Sequence, residues 1–178
     1  MIFKDQRGSA SVLALFMMVC FFAVGAFVAD VAKHFSVKVA VKNKLNIALR
    51  SAAAQLDEND LKNANLVIDE ANAFQAFLDV LKANLVLDDG LAPQTGSILN
   101  AGAVQIDYFK VVKPEEVPFT YTFVGYTETV SRPAVVGIIG FPVKSGLFAR
   151  MAGSPEESTM YCHATVAPEL ISRPVDQI

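Results

Sequence analysis

Residues 10–29 read ASVLALFMMVCFFAVGAFVA, with no charged residue and no proline. At ~1.5 Å per helical residue, about 20 such residues cross the ~30 Å hydrocarbon core of a bilayer. Ahead of the run stands the short stretch MIFKDQRG, residues 1–8. The sequence therefore predicts one membrane crossing near the N-terminus and a domain of about 150 residues after it. A cleaved secretory signal is the competing reading, and it needs a short apolar core followed by a small-x-small site. This run is longer than such a core, and its helical pattern continues beyond residue 29. Ala26-Phe27-Val28-Ala29 makes a weak cleavage site. The retained anchor is the reading adopted.

The helix does not stop at the membrane surface. Residues 31–56 contain no Gly or Pro. Val37, Val41, Leu45, Ala48, Ala52 and Leu56 recur at three- and four-residue steps and make one apolar stripe. Lys38, Lys42, Lys44 and Arg50 fall on other faces. The span and this stretch together predict a helix of ~45 residues, ~65 Å long, broken at Asp57-Glu58-Asn59-Asp60. A second, amphipathic helix is expected over 61–87, with Asp60 as N-cap. Its stripe is Leu61, Ala64, Ile68, Ala71, Phe74, Leu78, Leu81 and Leu85. Asp88-Asp89-Gly90 reads as its stop, with Gly90 suited to a left-handed position.

Past a loop rich in Gly, Pro, Ser and Asn at 91–102, the pattern turns to strands. Residues 103–112, 119–128 and 158–166 alternate, and 134–143 (AVVGIIGFPV) is continuously apolar, as a central strand would be. Prolines 114, 118, 133, 155 and 168 lie between or at the ends of these runs. The fold class is thus α+β: a long N-terminal transmembrane helix, a second helix, and an antiparallel sheet of about four strands. Helix and sheet each need a cover for an apolar face, which predicts a helix-on-sheet head with Leu78 and Leu81 against the 134–143 strand.

Charge and composition narrow the functions. The 178 residues carry a net charge of −3, which points to no nucleic-acid partner. A domain of this size buries a core without disulfide or metal support. Cys20 lies in the span and Cys162 far from it, so they do not read as a pair. Cys162 reads as a small buried hydrophobe, with an intermolecular disulfide or redox role as the alternative. His34 reads as a headgroup-level residue, and His163 as a surface or satisfied core residue. Two histidines so far apart make no metal site, and Gly137-Ile-Ile-Gly140 lacks the lysine of a phosphate loop. No catalytic set, cofactor site or metal site is expected. Asp30 directly follows the apolar run and must reach water or a partner cation.

The first 55 or so residues resemble the shared N-terminal region of the TadE- and TadG-like proteins of the tight-adherence, Flp-type pilus machinery. The resemblance lies in Arg7-Gly8-Ser9 opening an apolar helix and in Val28-Ala29-Asp30-Val31. The basic stretch 38–45 and Ala48-Leu49-Arg50-Ser51-Ala52-Ala53-Ala54 complete it. Pro133-Ala-Val-Val and Phe141-Pro-Val are similar, more loosely, to the β-rich part of such proteins. The resemblance implies a pilin-like layout: a leader at 1–8, a transmembrane and projecting helix at 9–56, and an extracytoplasmic head at 57–178. It also implies a leader that a prepilin peptidase removes between Gly8 and Ser9. Cleavage there would make Leu13 the fifth mature residue, where polymerising pilins commonly carry Glu.

The function implied is a structural subunit or assembly factor of a Tad/Flp-type pilus or related secretion apparatus, not an enzyme. The expected partners are other subunits of that machinery and membrane lipid. Ala14, Ala23, Gly25, Ala26 and Asp30 are the expected assembly contacts in the cytoplasmic (inner) membrane. Lys33, Lys38, Lys42 and Lys44 after the span would by themselves place the head in the cytoplasm; the resemblance implies the outside. The alternative function is a single-pass anchored ligand-binding or sensor domain, which would show a concave pocket with convergent polar groups.

Overall fold

Helix α1 runs unbroken over Arg7–Ala53, 47 residues, in the computed structural model, which describes residues 7–57, 67–151 and 153–168. Its two halves live in different surroundings. The large apolar side chains from Val12 to Val31 are exposed, among them Phe21 at 73%. Beyond them the expected stripe turns inward: Val41, Leu45, Ala48 and Ala52 are fully buried, with Val37 and Leu56 packed against them. The helix ends at Ala53, three residues before the expected end, and Leu56 bridges Ile68 instead.

The second helix, α2, spans Glu70–Leu85. It is shorter than expected, because residues 67–69 are extended and Asp69 is its N-cap. The Asp69 carboxylate accepts the N–H groups of Ala71 and Asn72 at 3.0 and 3.1 Å. Asp60, Leu61 and Ala64 lie outside the described residues. The buried face is Ala73, Phe77, Leu81 and Leu85, a strict four-residue step, whereas Ala71 and Phe74 are exposed. The left-handed residue that ends α2 is Val86 (φ 54°), not Gly90. Burial of Leu87 just beyond it fixes the reversal, and Leu87 donates its N–H to the Lys82 carbonyl at 3.0 Å. Asp88 turns the following loop by accepting the N–H groups of Gly90 and Ala92.

The strands form two antiparallel sheets rather than one of about four strands. Strands β1 (Gln105–Val112), β4 (Ala134–Lys144) and β5 (Glu157–Val166) lie in the order β1-β4-β5, while β2 (Phe119–Phe123) and β3 (Tyr126–Val130) make a separate hairpin. The expected strand over 119–128 is this hairpin's first arm, its turn and the first three residues of its second arm. Val124 and Gly125 both have positive φ, 46° and 76°, as a two-residue hairpin turn demands. Threonines alternate within each arm, at 120 and 122 and then, with the phase shifted by one residue, at 127 and 129. They meet across the hairpin, with Thr120–Thr129 and Thr122–Thr127 hydroxyls each 2.9 Å apart.

The head therefore has three layers, and β4 is buried on both sides. Val135, Ile139 and Phe141 face the helices; Val136 and Ile138 face the hairpin with Tyr121 and Val130. The helix lying over β4 is α1. A Cβ on Gly137 would sit 2.8 Å from Leu49 Cδ2, so glycine here lets the helix approach the sheet closely. Helix α2 packs on α1 and reaches β1 through Phe77 and Phe109, with ring centroids 5.0 Å apart. Leu81 is fully buried and Leu78 partly so, but the cover expected of them on β4 is supplied by α1. Small residues at Ala48, Ala52 and Ala53 give α1 the narrower face. A short helix, α3 (Leu147–Met151), links β4 to β5.

Candidate functional site

Three features of this frame bear on function, and the first is the bare half of α1. By length and composition the helix is long and apolar enough to cross a membrane, and no residue of its most apolar stretch is buried in the fold. Gly8 and Ser9 lie in its first turn. Ala14, Gly25 and Ala26 are exposed, and Ala23 partly so. They do not form one small-residue seam. At about 100° per residue, Ala14 and Gly25 share a face while Ala23 lies about 180° from Ala14.

The second feature is at the junction of the apolar stretch and the head. Asp30 Oδ2 accepts the N–H of Phe148, at the start of α3, at 3.2 Å. One turn on, His34 Nε2 lies 3.1 Å from the Lys144 carbonyl. Gly146 makes the first contact possible, because any Cβ there would collide with the Asp30 carboxylate. The charge that the sequence offered for an external partner thus has one inside the chain. It satisfies an orphan donor of a helix start, where a carboxylate is favoured.

The third feature lies on the hairpin side of the sheet. Glu128 of β3 faces Tyr121 of β2 in register. Its Oε2 accepts three hydroxyls: Tyr121 at 2.6 Å, Thr165 at 3.0 Å and Tyr126 at 3.2 Å. Burial works to raise the Glu128 pKa, but the three hydroxyl bonds outweigh it and hold the carboxyl below its usual range. Burial, and then the Glu128 bond, push the Tyr121 hydroxyl up. His163 on β5 stacks on Tyr126 with centroids 3.8 Å apart. Burial, then the cations of Lys42 and Lys38, depress its pKa, with Glu128 opposing. The network fastens the hairpin to β5.

Beside this network a cleft of about 400 Å³ opens along β5, between Lys38 of α1 and the hairpin tip at Phe123 and Val124. Tyr126, Tyr161 and His163 line it. Cys162 is 2% exposed; burial raises its thiol pKa, and the thiol donates to the Lys38 carbonyl at 3.6 Å. The cleft offers rings, one exposed ammonium and a neutral imidazole, which suits binding of an apolar or aromatic group carrying an acid. Among the described residues no group of three His, Cys, Asp or Glu could hold a metal ion. The sequence reading missed this cluster. The signal available was Val124-Gly125: read as a turn, it pairs Tyr121 with Glu128 directly.

No protein-family model matches the chain, and neither a curated protein nor a solved structure matches it.

Proposed function

We propose that the chain is a single-pass, membrane-anchored structural subunit or assembly factor of a pilus or secretion apparatus, of the TadE/TadG-like kind. One observation carries this reading: a single 47-residue helix is both the bare apolar shaft and the backbone of the head's core. No hinge separates the two, so the helix is a rigid stem that holds the head at a set height above the bilayer. Such a stem suits a part that is packed among neighbours. The apolar face at 37–56 is covered by the chain's own head, which leaves the bare shaft and the outer face of the head for lipid and partner subunits. The resemblance of residues 7–54 supports an extracytoplasmic head, a cytoplasmic-membrane location and removal of the leader between Gly8 and Ser9 by a prepilin peptidase. With Leu13 in the place of an acid, the subunit is proposed not to polymerise alone.

Mild-detergent extraction of native membranes tests the assignment. Recovery of pilus or secretion subunits with the tagged chain is the expected result, and recovery of the chain alone would refute it. Sidedness is tested with an Asn100→Cys variant, since Asn100 is exposed while Cys162 is buried. An impermeant maleimide should label it in intact cells; labelling only after permeabilisation would place the head inside. The second reading, an anchored ligand-binding domain, draws on the cleft at Lys38 and His163. A Lys38→Ala variant that keeps every co-purifying subunit but loses binding of an acidic aromatic compound would favour it.

A further inference from the structure

We propose that α3 is a second membrane contact, seated in the lipid headgroup layer beside the exit of α1, where it fixes the tilt of the head on the bilayer. The inference rests on the reading of α1 as a membrane span. Asp30 is the first charge after the apolar run, and a carboxylate there marks the level at which hydrocarbon gives way to headgroups. Phe148 is tied to that same carboxylate, and Lys144 is tied to His34 one turn higher. Residues 144–151 are therefore held at the bilayer surface by contacts within the chain.

The side chains at this level have an interfacial character. Met151 is 74% exposed, the most of any large apolar residue among the described residues of the head, and Phe35 on α1 is 69% exposed. Phe148 is half-buried beside α1. Lys33, Lys144 and Arg150 are exposed among them. Long cationic side chains that carry their charge to phosphates while apolar neighbours enter the upper acyl region are the usual make-up of an interfacial segment. The level is not purely basic. Glu157 pairs with Lys144 in register and Glu156 bonds Ser145 through its carbonyl. The contact is accordingly with the lipid interface as such, and zwitterionic headgroups suffice. Lipid is the occupant because, with α1 in a bilayer, Met151 and Phe35 meet headgroups at their own height.

The chain contains no tryptophan, so one introduced indole reports one position. Full-length Met151→Trp, Phe21→Trp and Phe74→Trp are reconstituted in phosphatidylcholine vesicles containing lipid brominated near the headgroup end of the acyl chain, which reports on Met151→Trp, and in parallel vesicles with lipid brominated near the methyl end, which reports on the mid-span Phe21→Trp. Phe21 marks the span; Phe74 lies on α2, whose N-terminal end is at the far end of the head, and is 40% exposed. Blue-shifted, bromine-quenched emission is expected from Met151→Trp and Phe21→Trp, and none of either effect on adding brominated lipid for Phe74→Trp. Quenching at Phe21→Trp with water-like, unquenched emission at Met151→Trp would overturn the inference while leaving the span intact. A blue shift at Met151→Trp without quenching would overturn it in favour of a protein cover. Quenching that appears only with anionic lipid would overturn the assignment to neutral headgroups. Absence of quenching at Phe21→Trp would remove the span itself and this inference with it.

Discussion

Alanine at Gly137 should destabilise the head, and the same substitution should stabilise it once Leu49 has been cut to alanine. Gly137 sits mid-strand in β4, paired with Phe109 on one side and Ala164 on the other. A Cβ there would lie 2.8 Å from Leu49 Cδ2 and 3.2 Å from Cδ1. Leu49 is fully buried, so it yields only if α1 shifts. Forcing an extra carbon into a packed core costs ~1–3 kcal/mol. Alanine's advantage over glycine within a strand offsets ~0.5–1 kcal/mol of that. The single substitution should then cost up to ~2.5 kcal/mol, and the 2.8 Å approach to a fully buried side chain puts it in the upper part of that range. Leu49→Ala alone should cost ~2–5 kcal/mol through the cavity it leaves. In that background the new methyl group enters the cavity, and Gly137→Ala should gain at least ~0.5 kcal/mol. The assay is urea unfolding of the full chain in non-ionic micelles, followed by near-ultraviolet dichroism of the tyrosines, with slopes compared to confirm that only stability has changed. Equal effects of Gly137→Ala in both backgrounds would show that α1 is not pressed onto β4 at this point.

Three further outcomes are expected. Leu81→Ala should cost ~2–5 kcal/mol, because Leu81 is fully buried; Lys82→Ala should cost under ~1 kcal/mol, because its partner Asp89 is fully exposed. His163, with its pKa depressed below 6.5 by burial and by Lys42, resists a proton that the unfolded chain accepts, so stability should fall as pH drops below about 6.5. His163→Phe keeps a ring against Tyr126 and should flatten thermal stability between about pH 7 and pH 5, above the range in which Glu128 titrates. Gly146→Ala should drive α3 off Asp30, read as faster amide exchange at Phe148, while Ala149→Gly on the same helix should leave the Asp30 bond in place.

Much of the frame was legible because it rests on periodicity. The α1 stripe stepped in threes and fours and is buried where those steps fell. The unbroken apolar run at 134–143 marked a central strand, but the sheet was read as having one apolar face covered by α2, whereas β4 is covered on both sides, by α1 and by the hairpin. Three things were not legible. The hairpin was hidden because each arm alternates Thr with other residues, so the one-residue phase shift at Val124-Gly125, from Thr120 and Thr122 to Thr127 and Thr129, passes easily for one strand, and a β-branched residue at positive φ is an unfavoured choice there. The start of α2 was misplaced because Ile68 continues the helical stepping, yet it is buried from an extended segment. The Asp30 contact joins residues 118 apart in sequence, and no local pattern carries such information. The Glu128 network fell with the hairpin, since its members meet only once Tyr121 and Glu128 are put in register.

The junction explains how a long helix can carry a head without a hinge. A bare helix bends most easily where side-chain support is missing, and on α1 that is the stretch between the end of the apolar run at 10–29 and the first fully buried residue, Val41. Asp30 and His34 fall in that gap, and both are tied to the β4–α3 connection. The sheet is in turn fixed to α1 higher up, through Leu49 over Gly137 and the Cys162 thiol on the Lys38 carbonyl. The second half of α1 is thus braced at both ends by the same strands. Load applied to the head passes into the shaft through β4 and β5 rather than through a single helical turn. Loosening the lower brace should change head orientation before it changes head stability, because the buried stripe from Val41 to Ala52 stays intact when Asp30 lets go.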